Sequence, residues 1–131
     1  MKRIFLALTA LCVASGPAVA TAKAPIEGRW KNGKMEVVMA PCGGDLCGTV
    51  VKASAVQQAK AQRGSDTDLI GARLVKDIEQ TGPRTYRATV FLADRNMYAR
   101  GTINQLSNDQ LRVRGCVLAI ICKSKTWDRI R

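Results

Sequence analysis

The stretch TYRATVFLADRNMYARGTINQLSNDQLRVRGCV, residues 85–117, decides the fold class. From Thr85 to Leu92 the apolar residues Tyr86, Ala88, Val90 and Leu92 take every second place, with Arg87 and Thr89 between them. A period of two puts one set on each face of an extended strand. Asp94, Arg95 and Asn96 turn the chain into a second run, Met97 to Asn104, and Ser107, Asn108 and Asp109 turn it again into Leu111 to Val117. Three runs joined by short polar turns predict an antiparallel meander.

The pattern extends both ways. Towards the N-terminus, GPRT at 82–85 is a turn and Leu69 to Ile78 is β-compatible, while SAVQQAKAQR at 54–63 predicts a short helix capped by Ser54 and stopped by Gly64. Met35, Val37 and Met39 alternate with Glu36, Val38 and Ala40, and Gly48 to Ala53 is a second β-rich run. The CGGDLC turn between them makes a hairpin. With Arg29 to Lys31 as a first strand and Lys123 to Arg131 as a last, the chain counts about eight short strands and one helix. An all-β, antiparallel up-and-down barrel or half-barrel follows, because closing a sheet removes its exposed edges.

The first twenty residues read differently. MKR, an apolar run from Ile4 to Val13 and the tripeptide Ala18, Val19, Ala20 have the layout of a secretory signal peptide. Cleavage is expected after Ala20, leaving one barrel domain over residues 21–131 in the periplasm or outside the cell. No other apolar run approaches membrane-spanning length. The whole chain carries 21 Lys and Arg against 10 Asp and Glu; without Lys2 and Arg3 its formal charge falls from +11 to +9. Such a charge attracts anions. In a bacterial envelope these are lipid headgroups, lipopolysaccharide, acidic polymers and acidic proteins, and nucleic acid is not an expected partner.

Cys12 leaves with the signal, so Cys42, Cys47, Cys116 and Cys122 remain, an even number in an exported chain. Two disulfides are expected. Loop entropy alone favours a long cross-link from Cys42 to Cys122, worth about 4.5 kcal/mol against about 2 for a short loop. Proximity along the chain favours Cys42–Cys47 and Cys116–Cys122, the preferred pairing. The spacing and the lack of histidine argue against zinc, and neither a metal nor a cofactor is expected.

Catalysis lacks its usual parts. Without histidine, and with oxidised cysteines, most nucleophile and base pairings disappear. Asp66 with Asp68 and Asp77 with Glu79 read as solvated surface acids, and a hydrolase built on them is the remote alternative. The expectation is a binding protein and no enzyme.

Three segments carry a family resemblance: GRW at 28–30, PCGGDLCGTVV at 41–51 and LRVRGCVLAIICKSKTWDRI at 111–130. Together they resemble domain-of-unknown-function family 2147, small exported bacterial proteins with a lipocalin-like β-barrel. The resemblance implies the barrel and assigns no biochemistry. A more distant similarity to lipocalins implies that Trp30 of the first strand packs against Arg129 of the last. That contact is structural, worth about 0.5 to 2 kcal/mol, and shuts the narrow end.

Two candidate sites follow. Inside the barrel, Met35, Val37, Met39, Tyr86, Val90, Leu92 and Trp127 are the candidates to meet a small apolar or amphipathic ligand; eight strands enclose a space that side chains just fill or that holds one small molecule. With six aromatics in the chain, a filled core is the default. On the outside, Arg100, Arg112, Arg114, Lys123 and Lys125 are expected to share one basic face that binds an anionic envelope component or an acidic protein. Like charges opposed across strands are unfavourable, and an anionic partner would offset that. A solvated face is the plainer reading. VLAII at 117–121 is expected to be a buried turn covering a barrel end, pinned by its disulfide, with an exposed docking loop for a membrane or a protein as the alternative.

Overall fold

The computed structural model describes residues 24–131, so the signal peptide expected over 1–20 lies outside the described residues. Eight strands follow in order: β1 (Gly28–Asn32), β2 (Met35–Pro41), β3 (Leu46–Lys52), β4 (Arg73–Gly82), β5 (Thr85–Leu92), β6 (Met97–Ser107), β7 (Gln110–Val117) and β8 (Ile121–Ile130). One helix, α1 (Ala55–Ser65), lies between β3 and β4. Each strand pairs antiparallel with the next, and β8 returns to β1 through Trp30 opposite Arg129, so the barrel is closed.

Several boundaries move for local reasons. β8 begins at Ile121 because the ladder continues through Cys116–Cys122 to Val117–Ile121, up to the tip of the hairpin. β4 begins at Arg73, since the chain turns at Gly71, whose φ of +87° lies in the left-handed region. Further along β4 the register slips between Lys76 and Glu79, where Asp77 takes a φ of +52°, a bulge that keeps both Val75 and Ile78 buried.

The helix starts where Ser54 accepts from the Gln57 backbone and the Gln57 side chain reciprocates to the Ser54 N–H, a capping box. It runs past Gly64 and stops at Asp66 in the left-handed conformation. Gly64 therefore has another job. A Cβ there would collide with the backbone carbonyls of Ala93 and Asp94, so the helix rests directly on the β5–β6 turn. Ser65 Oγ secures that contact by donating to Ala93 O at 2.7 Å.

The up-and-down order gives the barrel two unlike ends. At one end lie the residues before β1, the Cys42–Cys47 loop and the turns at 83–84 and 108–109. Ile26 plugs this end fully buried, and its carbonyl accepts from Trp30 Nε1 at 2.9 Å. The Arg129 guanidinium lies 4.2 Å from the Trp30 ring centroid and donates to Asn108 O, Glu27 O and Pro25 O at 2.7 to 2.8 Å. Gly28 makes room for this clasp: a Cβ there would sit 2.6 Å from Arg129 Nη1. Trp30, Met39, Tyr86, Ile103 and Leu111 are fully buried in the core.

Cys42 stands at disulfide-bonding distance from Cys47, and Cys116 from Cys122, with Cα separations of 5.8 and 4.0 Å. Both pairs are local. Disulfides of this kind belong to oxidising, extracytoplasmic compartments. Among the described residues no helix is long and apolar enough to cross a membrane.

Candidate functional site

The other end of the barrel carries the Gly33–Lys34 turn, α1, the turn at 93–96 and the β7–β8 tip at 118–120. It is open. A cavity of about 370 Å³ enters there between α1 and the barrel wall, and a second of about 320 Å³ lies beside it under the β7–β8 tip. They share the walls Asn32, Val90, Leu92, Asp94, Lys125 and Trp127, so they are two lobes of one mouth. The size falls in the range of small-molecule sites, about 300 to 1,000 Å³.

The seven interior candidates divide along the barrel axis. Met35, Val37, Val90, Leu92 and Trp127 line the mouth. Met39 and Tyr86 do not; each is 1% exposed and part of the packed core. The expectation of a filled interior therefore holds for the clasped half, while at the mouth an open cleft reaches interior-facing side chains such as Val37, Val90 and Trp127. Among the described residues the buried Tyr86 hydroxyl has no hydrogen-bond partner, and burial pushes its pKa up.

The five surface cations do not form one face, which corrects the sequence reading. Arg100, Arg112 and Arg114 point outward: Arg112 sits opposite Asn104 and Thr126, and Arg114 opposite Thr102 and Ser124. Their neighbours are neutral, so no like-charge strain asks for an anionic partner. Lys123 and Lys125 point the other way. They face Gly115 and Val113 across the ladder, and both line the mouth. The reason is the period of two, which puts residues 123, 125 and 127 on one face; an inward Trp127 carries the two lysines with it.

Sequence reasoning also missed polar members of the mouth. Asn32 enters beside the β1–β2 turn, Lys60 from α1, and Asp94 and Arg95 from the β5–β6 turn. Asn32 ends β1 on the same face as Trp30, whereas turn and helix residues carry no period-two signal, so only the path of the chain could bring Lys60, Asp94 and Arg95 here.

The acidic pairs hold structural positions. Asp66 is the helix C-cap, Asp68 accepts from Gln62 at 2.7 Å, Asp77 forms the bulge, and Glu79 is 3.5 Å from Arg87 on the surface. The 117–121 segment is a second correction. Leu118 is 77% exposed and Ile120 83%, because the ladder runs to Val117–Ile121 and lifts the tip clear of the barrel instead of folding it over the end.

Residues 28–129 match the model of a family described as "Uncharacterized protein conserved in bacteria (DUF2147)". No curated protein matches the sequence. Among solved structures the chain is similar to protein HP1028 from the human pathogen Helicobacter pylori, described as belonging to the lipocalin family. The TM-score is 0.61 at 14% identity, over 80% of this chain and 82% of that one. At that identity the likeness carries the lipocalin-like fold alone.

Proposed function

The chain belongs to the DUF2147 family, and from that premise and its lipocalin-like barrel we propose that it is an exported binding protein, not an enzyme, which takes a small apolar or amphipathic molecule into the open mouth. The observation that carries this reading is the asymmetry of the interior. One half is packed and clasped by Arg129 on Trp30, while the other is a cavity of about 370 Å³ walled largely by aliphatic side chains and Trp127. A barrel stabilised only for its own sake would cover these walls, because apolar surface left in water forgoes about 25 cal/mol per Å² of burial. The layout Lys2-Arg3, apolar run, Ala18-Val19-Ala20, together with the disulfides, supports periplasmic or secreted location after cleavage near Ala20.

The test uses a neutral apolar fluorophore, N-phenyl-1-naphthylamine. Saturable one-to-one binding with energy transfer from Trp127 is expected, and Val90→Trp or Leu92→Trp, each filling the shared wall, is expected to abolish it while the melting curve stays cooperative. Absence of saturable binding to the folded protein, or binding indifferent to both substitutions, refutes the reading. The alternative of an anion-binding outer face loses its support from the register, since Arg112 and Arg114 have neutral neighbours.

A further inference from the structure

β8 carries its binary pattern inverted. Its outward row, Ser124, Thr126 and Asp128 beyond the disulfide, is small or acidic, whereas two of the four inward positions from Ile121 to Trp127 are lysines. In a half-buried antiparallel strand the charges normally face out. Here Lys123 and Lys125 project into an apolar mouth. Among the described residues neither has a carboxylate within ion-pair distance, and the one acid in the mouth, Asp94, lies 3.9 Å from its neighbour Arg95. Lys60 adds a further cation from α1.

Resting on the proposed ligand site, we infer that its occupant is an anionic single-chain amphiphile: an alkyl chain lying between Val37, Val90 and Trp127, with a carboxylate or phosphate head held by Lys125 and Lys123 at the rim. The geometry suits both parts. Both lysines stand at a solvent-exposed rim, and the low-dielectric wall behind them strengthens attraction to an anion that arrives. The chain supplies the apolar burial, and the lysines select its head.

The test displaces N-phenyl-1-naphthylamine with dodecanoate, dodecyl phosphate, dodecyltrimethylammonium, a neutral dodecyl ester and inorganic phosphate. Both anionic amphiphiles are expected to compete about ten-fold better than the neutral ester. The cation is expected to be weakest, and inorganic phosphate to displace nothing. Lys123→Gln/Lys125→Gln is expected to erase the preference, read within the variant as an anionic-to-neutral competition ratio that falls to about one. Arg112→Gln/Arg114→Gln is expected to leave the preference intact. Equal competition by anionic and neutral chains, survival of the preference in the lysine variant, or competition by inorganic phosphate overturns the inference. Failure of the fluorophore to bind refutes the ligand site itself, so the two failures are distinct.

The β7–β8 tip carries a separate proposal. Leu118, Ile120 and Ile121 are 77, 83 and 54% exposed at the end of a hairpin stapled by Cys116–Cys122. The staple holds the apolar residues out of the core. Two exposed arginines flank them: Arg95, which shares a lobe wall with Val117 and Ile121, and Arg100, which pairs with Cys116 on the outer face. Apolar insertion beside cations matches the chemistry of an anionic bilayer surface. We propose that this tip docks there.

Co-sedimentation with phosphatidylglycerol vesicles is expected, with little on phosphatidylcholine. Leu118→Ser/Ile120→Ser is expected to weaken it about ten-fold without lowering the melting temperature, because both residues are solvated. Equal binding to both vesicle types, no binding, or no effect of the double substitution overturns it.

Discussion

Arg129 is the residue on which the closed end depends, and replacing it tests the architecture directly. Its Nε and two terminal nitrogens each donate to a backbone carbonyl, tying the β6–β7 turn at Asn108 to the segment at Pro25 and Glu27. Two of these bonds are exposed and worth about 0.5 kcal/mol each once water can replace the donor; the half-buried bond to Glu27 O is worth about 1.5. Stacking on Trp30 adds about 0.5 to 1. Arg129→Ala is therefore expected to cost about 3 kcal/mol. For a domain of this size that lowers Tm by about 10 to 15 °C.

Arg129→Lys keeps the charge, but one ammonium cannot span three carbonyls, so about 2 kcal/mol is still lost. Gly28→Ala, which pushes a Cβ onto the same guanidinium, is expected to be far less harmful in the Arg129→Ala background than in the wild type, a coupling that a double-mutant cycle reads. Thermal unfolding followed by near-ultraviolet circular dichroism is the assay. An Arg129→Ala protein melting within about 3 °C of wild type, or an Arg129→Lys protein indistinguishable from it, refutes the clasp.

Four further outcomes are expected. Tyr86→Phe removes a buried hydroxyl that has no partner among the described residues and is expected to stabilise by about 1 kcal/mol, read from the urea midpoint; a loss of stability contradicts the orphaned-hydroxyl assignment. Burial raises the folded-state pKa of Tyr86 above its ordinary 10.0, so its stability contribution is present below about pH 10 and lost as pH rises through the folded value; the advantage of Tyr86→Phe is expected to widen in that range. Gly64→Ala normally helps a helix by about 1 kcal/mol, but here the methyl meets the Ala93 and Asp94 carbonyls, and a net loss of about 1 to 2 kcal/mol is expected on thermal melting. Cys42→Ala/Cys47→Ala, opening a short loop, is expected to cost about 2 kcal/mol; an unchanged midpoint in urea counters that.

Much of the barrel was legible residue by residue. Thr85–Leu92 is bounded as its alternation predicts, and the local cysteine pairing is found in both hairpins: Cys116 faces Cys122 across the β7–β8 ladder, whereas Cys47 stands opposite Ala40 and meets Cys42 across the β2–β3 turn. The GRW motif acquires a physical meaning from the fold: Gly28 clears space and Trp30 supplies the face on which Arg129 lies. The misreadings have equally specific causes. Lys123 and Lys125 look like surface residues by type, yet their parity with Trp127 put them inside, so composition was followed where periodicity spoke against it. The VLAII segment looks like core by type, but its exposure depends on where the β7–β8 ladder ends.

The alternation of side chains is a local property, fixed by successive residues pointing to opposite faces of a pleated strand, and with the short turns it determined the strands and their up-and-down order. The contents of the barrel depend instead on which residues from distant strands, turns and the helix arrive at the same height along its axis. The Asp77 bulge and the seat of Gly64 on the β5–β6 turn help set those heights. Only the tertiary structure therefore decided that one half is packed, that the other opens in a cleft, and that two lysines stand at its rim, because a cavity is a relation among residues far apart in sequence.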